Sequence, residues 1–200
     1  MTYQVRRLDP RQGHGPLTVY RAISPHPQSL LQQPMGWVRA QPAFRGLAVS
    51  QTAAAAATLA AAGVPEVPKI WTELAYESVR LKAGPDIPSR LDALYAFADP
   101  LEALSFTEVT GNAQQVCEGA VTAGVPWVLV DMADFEVVEP LSPDEAGFRT
   151  AWDAACERAS RYWTPGSDVR LGEILVAGTI TLNRRLELLP LLRSLGLVEP

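Results

Sequence analysis

Seventeen prolines are spread through a chain of 200 residues. Proline fixes φ and carries no backbone N–H, so it fits the first turn of a helix, a sheet edge or a turn, and breaks a helix elsewhere. The chain is therefore predicted to fold as short elements separated by many loops. Between these breaks, 48% of the residues are hydrophobic and 20% charged, which suits a globular core and not a disordered segment. The length predicts one domain over residues 1–200.

The net charge of −5, with no basic block, argues against a tight non-specific grip on nucleic acid. Cys117 and Cys156 are too few for a disulfide framework and read as reduced thiols. With His14 and His26 they lack zinc-ligand spacing, so no metal is expected. Arg6 and Arg7 are not followed by the apolar stretch of a secretory signal. The most apolar run, 53–62, is alanine-rich and too short to span a bilayer. A cytoplasmic protein without membrane partners is predicted.

Leu17–Ile23 reads as a strand closed by Ser24-Pro25-His26-Pro27. Residues 28–50 predict loop with short helical or strand pieces. The alanine run over 51–62 predicts a helix ended by Gly63 and Pro65. Over 70–82, Trp71, Leu74, Ala75, Ser78, Val79 and Lys82 share one helical face before Gly84-Pro85. Leu94–Ala98 suits a strand, and Asp99-Pro100 opens a helix as N-cap and first helical residue. Residues 125–131 and 135–139 predict strands. A helix starting at Ser142-Pro143-Asp144-Glu145 carries Phe148, Trp152, Ala155, Ala159 and Tyr162 on one stripe. Residues 173–182 predict two strands or one bent strand, and 184–195 a helix. Strands early, in the middle and late, with helices between them, predict an α+β fold.

No phosphate-cradling glycine loop, GxSxG, HExxH or paired CxxC occurs. Three short segments carry the chemical interest. Val19-Tyr20-Arg21-Ala22 holds an arginine inside a β run, where it must face solvent, an ion pair or a bound anion. Ala93-Leu94-Tyr95-Ala96-Phe97-Ala98-Asp99 runs into an amphipathic helix. Gly172-Glu173-Ile174-Leu175-Val176-Ala177-Gly178-Thr179 puts a carboxylate at the head of an apolar strand.

In this order, spread over residues 17–185, the three segments resemble the ADP-ribosyltransferase superfamily. Val138-Glu139-Pro140 adds a similarity to its rifampicin-modifying members. Pro88-Ser89-Arg90, the Leu91–Phe97 stretch, Arg161-Tyr162-Trp163 and Glu173 resemble an uncharacterised bacterial family of the same presumed fold. The resemblance implies a split mixed β-sheet flanked by helices, and a mono-ADP-ribosyltransferase or NAD glycohydrolase. NAD is then the substrate, with an acceptor that the residues do not specify. Small stand-alone members act as toxins, phage-defence effectors or drug-modifying enzymes, and a toxin implies an antitoxin as partner. Glu173, Arg21 and Tyr95 become the catalytic set by the same resemblance. Tyr20, Arg21, Ala22, Ser89, Arg90 and Phe97 become the NAD-binding set. Two departures stand out: Ala96-Phe97-Ala98 lacks the Ser-Thr-Ser hydroxyls of many members, and Leu171 stands two residues before Glu173, where arginine-modifying members keep a second Glu or Gln.

The chemistry asks for these residue types. Breaking the nicotinamide–ribose bond builds positive charge on the ribose, which a fixed carboxylate stabilises while other groups hold the two ends of NAD. Taken singly, the same residues have plainer readings. Arg21 pairs with an acid such as Glu108 or Glu139, and Glu173 is a polar strand start. Tyr95 and Phe97, two apart on a strand, pack in a core, as do Trp152, Tyr162 and Trp163 on their helix. Ser89-Arg90 is a turn with a helix cap. Those readings describe a catalytically inactive binding or interaction module of the same fold.

Overall fold

The computed structural model describes residues 12–23, 37–110, 115–164, 169–187 and 192. The predicted turn at Ser24–Pro27 and all but the start of the predicted helix at 184–195 lie outside these residues, apart from Leu192. Among the described residues the strands are β1 (Gln12–His14), β2 (Leu17–Ile23), β3 (Leu94–Phe97), β4 (Gln115–Val121), β5 (Pro126–Asp131), β6 (Gly172–Val176) and β7 (Ile180–Arg185). The helices are α1 (Trp37–Ala40), α2 (Pro42–Ser50), α3 (Ala53–Ala61), α4 (Val67–Ala83), α5 (Pro100–Thr110) and α6 (Glu145–Trp163), with a 3-10 turn at Met132–Asp134. Among the described residues the fold is α+β, with one seven-stranded sheet and six helices. Two compact units divide these elements. One holds α5 and the strands, β5 as far as Leu129; the other holds α1–α4, the 3-10 turn and α6.

In the first unit the strand order is β1-β5-β6-β3-β2-β4-β7. The pairings of β1 with β5, β6 with β3, β3 with β2, β2 with β4 and β4 with β7 are all antiparallel. β2 and β4 match over their whole length, from Leu17 opposite Val121 to Ile23 opposite Gln115. β3 and β6 match from Leu94–Val176 to Phe97–Glu173. Between these two ladders, β2 and β3 meet at a single residue pair, Tyr20–Phe97. β7 approaches β4 closely at Gly119, where a Cβ would stand 2.8 Å from the Ile180 side chain and 2.9 Å from the Thr181 carbonyl. The register shifts between Glu118 and Gly119 at the same place. Asp99 accepts the Leu101 N–H at 2.8 Å and so caps α5.

The second unit is built on helices. Thr52 accepts the Ala55 N–H and caps the alanine helix α3, of which Ala56 is fully buried. α4 is buried without interruption from Ile70 to Tyr76, and Arg80 is also buried while Lys82 is exposed. The predicted stripe on α4 therefore stops at Ala75. On α6 the buried stripe is Phe148, Ala151, Ala155, Ala159 and Tyr162. Asp144 caps this helix by accepting the Gly147 N–H at 2.8 Å. The Ser142 carbonyl leaves no room for a Cβ at Gly147, since it would lie only 2.0 Å away. The Trp71 indole N–H donates to the Phe148 carbonyl at 2.9 Å, and the Trp71 and Trp152 rings lie 4.5 Å apart. Val38, Leu47, Val67, Ile70 and Leu74 complete this core.

Two sequence expectations fail, and one strand was missed. Residues 135–139 form no strand: the Val138 N–H donates to the Thr72 hydroxyl at 3.0 Å and not to a ladder. Arg184 and Arg185 end a strand, paired with Glu118 and Cys117, and do not begin a helix. β4 was not anticipated. None of the described helices is long and apolar enough to cross a membrane.

Candidate functional site

The sheet register decides which predicted residues share a surface. Residues paired across antiparallel strands point to the same face, and successive residues along a strand alternate. Glu173 pairs with Phe97, Phe97 with Tyr20, Tyr20 with Glu118, and Glu118 with Arg184. These five side chains form one transverse row on one face, crossing β6, β3, β2, β4 and β7. Tyr95 and Ala22, each two residues from a member of the row, leave from the same face.

The row runs from the interior toward solvent. Glu173 and Phe97 are each only 4% exposed. Tyr20 and Tyr95 are half-buried, and Arg184 is exposed. Arg184 Nη2 donates to Glu118 Oε2 at 2.9 Å, and that carboxylate raises the proton affinity of the guanidinium. The Phe97 ring lies 5.5 Å from the Phe106 ring of α5. A second buried carboxylate sits at the head of β6, where Glu102 Oε1 accepts the Gly172 N–H at 2.9 Å. A Cβ at Gly172 would meet Glu102 Oε2 at 3.4 Å, so the glycine gives that carboxylate its place against the strand. Buried carboxylates are rare unless they are paired or functional.

Arg21 leaves β2 from the opposite face, one residue out of step with Tyr20. Its cross-strand neighbour is Cys117, and Cys117 in turn pairs with Arg185. The Arg21 Nη1 atom is buried without a hydrogen-bond partner. Burial holds this guanidinium below its ordinary value. Burial also pushes the Cys117 thiol up, while the Arg185 charge acts the other way.

Ser89 and Arg90 belong to the helical unit. The Ser89 hydroxyl donates to Glu77 Oε2 at 2.8 Å and accepts the Leu91 N–H at 3.2 Å, which makes it a turn and cap residue. Arg90 donates to both Glu73 oxygens and to the Tyr162 hydroxyl, and its guanidinium lies 3.8 Å over the Phe135 ring. These contacts occupy the guanidinium edge and face and account for it as a core residue. Tyr162 and Trp163 are buried in the same unit, the Trp163 indole N–H donating to the Tyr76 carbonyl at 2.9 Å.

Sequence reasoning missed Glu118 and Arg184. Their signal is the cross-strand pairing of an acid with a base, which becomes visible only once β4 and β7 are placed side by side.

The structure thus defines an α+β protein with a single antiparallel sheet crossed by a row of two carboxylates, two aromatic rings and one guanidinium. The chain belongs to the family described as "Protein of unknown function (DUF2441)", which matches residues 44–187. The matched segment contains Ser89, Arg90, Tyr95, Phe97, Glu118, Glu173 and Arg184, while Tyr20, Arg21 and Ala22 precede it. No curated protein matches the chain.

Proposed function

We propose that the protein cleaves NAD at the nicotinamide–ribose bond, as a mono-ADP-ribosyltransferase toward a protein or small-molecule acceptor, or as a glycohydrolase toward water. The observation that carries this reading is the buried Glu173 carboxylate in one row with Phe97 and Tyr20, with Tyr95 on the same face. The order of the three sequence segments supports it independently. Glu173 holds the ribose 2′-hydroxyl and stabilises the positive charge that develops as nicotinamide departs. In a water-poor site such a charge is worth roughly 10²–10³-fold in rate. Tyr20, Tyr95 and Phe97 form the wall against the nicotinamide ring. The bond to nicotinamide breaks, the ribose carbon bonds to the acceptor or water oxygen or nitrogen, and the proton of that nucleophile is released. Arg21, on the other face, and Ser89 and Arg90, engaged in the helical unit, have no part in this reading.

The test is nicotinamide release from NAD by the purified chain, alone and with a cell extract as acceptor source. Glu173→Gln is expected to lower the rate at least about a hundredfold without changing the melting temperature by more than a few degrees. Equal rates for the two proteins sink the catalytic reading. A second reading, a non-catalytic module of the same fold, draws on the direction of Arg21 and on the absence of hydroxyls at Ala96 and Ala98. It requires that neither protein release nicotinamide.

A further inference from the structure

We propose that the sheet face opposite Glu173 carries a separate anion site, in which Arg21 and Arg185 flank Cys117 and take the diphosphate group of a small molecule. The site stands apart from the NAD reading, because its side chains leave the sheet on the other side.

Three observations carry it. Arg21, Cys117 and Arg185 occupy one transverse row over the adjacent strands β2, β4 and β7. Two interstrand steps of about 4.8 Å put the roots of the arginines about 10 Å apart, a separation their long side chains close around one diphosphate. Between them stands the short Cys117 side chain, itself buried. The Leu186 N–H donates to the Val116 carbonyl at 2.9 Å, so β7 stays paired beyond Arg185 and fixes its direction.

Arg21 Nη1 is buried and has no hydrogen-bond partner. A guanidinium taken from water without an acceptor is strongly disfavoured, and the missing acceptor is what an anionic oxygen supplies. Among the described residues no acid takes that place. Among the described side chains of α5, the helix after β3, the one charged group is Glu102, and its carboxylate is engaged at the Gly172 N–H. On the neighbouring row the basic residue Arg184 has its acid, Glu118, at 2.9 Å. Among the described residues the two arginines beside Cys117 have no acid in their row, in a chain whose net charge is −5. A local pair of cations in an acidic protein points to a bound anion and not to a general basic surface.

The experiment titrates the full-length chain with inorganic pyrophosphate, and separately with ADP, by calorimetry at physiological salt. Saturable binding of one equivalent is expected. Arg185→Gln should weaken it about tenfold or more, the loss expected for a charge-assisted hydrogen bond. Arg184→Gln removes the same charge one residue away on the other face and should change affinity less than about twofold, as should Glu173→Gln. Arg21→Met should abolish binding; Arg185 is exposed, so its variant decides the matter should Arg21→Met fold poorly. Tighter binding of ADP than of pyrophosphate assigns the site to a nucleotide, and equal binding to a free diphosphate. No saturable binding overturns the proposal. So does equal weakening by Arg184→Gln and Arg185→Gln, which means an adventitious ion only. Loss of binding in Glu173→Gln places the anion on the other face and also overturns it, whatever the outcome for nicotinamide release.

Discussion

Replacing Glu73 by alanine tests whether Arg90 belongs to the core or is available to a ligand. The side chains of Glu73 and Arg90 are 5% and 8% exposed, with Nε 3.1 Å from Oε2. Removing the carboxylate takes both of its oxygens from a buried guanidinium that also meets the Tyr162 hydroxyl and the Phe135 ring. Losing one partner of a buried pair costs about 3–5 kcal/mol, because the other charge stays buried without compensation. Against a typical total of about 5–15 kcal/mol this is a large fraction, and it lowers the melting temperature by roughly 10 °C. Replacing both members by apolar residues of similar volume, Glu73→Leu with Arg90→Met, restores most of the loss. Urea titrations of the single and double variants give the coupling energy directly. A cost below about 1 kcal/mol for Glu73→Ala refutes the structural assignment and returns Arg90 to the list of ligand-binding residues.

Further outcomes follow from the same side chains. Arg21→Met is expected to raise stability by about 1 kcal/mol, since it removes a buried nitrogen without a partner; a melting temperature that falls by several degrees contradicts this. Burial pushes the Tyr76 hydroxyl up to about 12, above the value near 10 of an unfolded tyrosine. Its neutral form therefore contributes stability that is complete below pH 10 and lost as the pH rises toward 12, on the order of 2 kcal/mol in all. The alkaline limb of the stability profile should flatten in Tyr76→Phe. The Ser142 hydroxyl and the Gly147 N–H lower the Asp144 carboxyl, so its contribution is present above the ordinary carboxyl value and is lost as the pH falls through the depressed one. Asp144→Ala should remove that part of the acid transition, read by circular dichroism of the helical signal.

Local signals were sufficient for several elements. The alanine run with Thr52 before it, Asp99-Pro100, and Asp144 ahead of the Phe148 stripe each combine a cap with a helical pattern, and each yields the expected helix. β4 escaped because Gln115–Val121 mixes a glycine, an acid and a cysteine, and its identity comes from the strands on either side. Phe135–Glu139 has the composition of a strand, yet Phe135 is held between the Tyr76 ring and the Arg90 guanidinium, and Thr72 satisfies the backbone at Val138. The same limit applies to the site. Alternation along a strand says that Tyr20 and Arg21 point opposite ways, but only the pairing of β2 with β3 and of β3 with β6 says which of them shares a face with Glu173. Ser89 and Arg90 read as a polar turn because their acids, Glu77 and Glu73, lie on α4, more than ten residues away in sequence.

The central claim is that NAD lies on the Glu173 face of the sheet. A crystal structure of the chain with a non-cleavable NAD analogue tests it most directly. The account predicts the ligand along Tyr20, Phe97 and Glu173, with a ribose hydroxyl within hydrogen-bonding distance of the Glu173 carboxylate. Density confined to Arg21 and Arg185 on the other face with none along Tyr20, Phe97 and Glu173, or no bound analogue at saturating concentration, contradicts it.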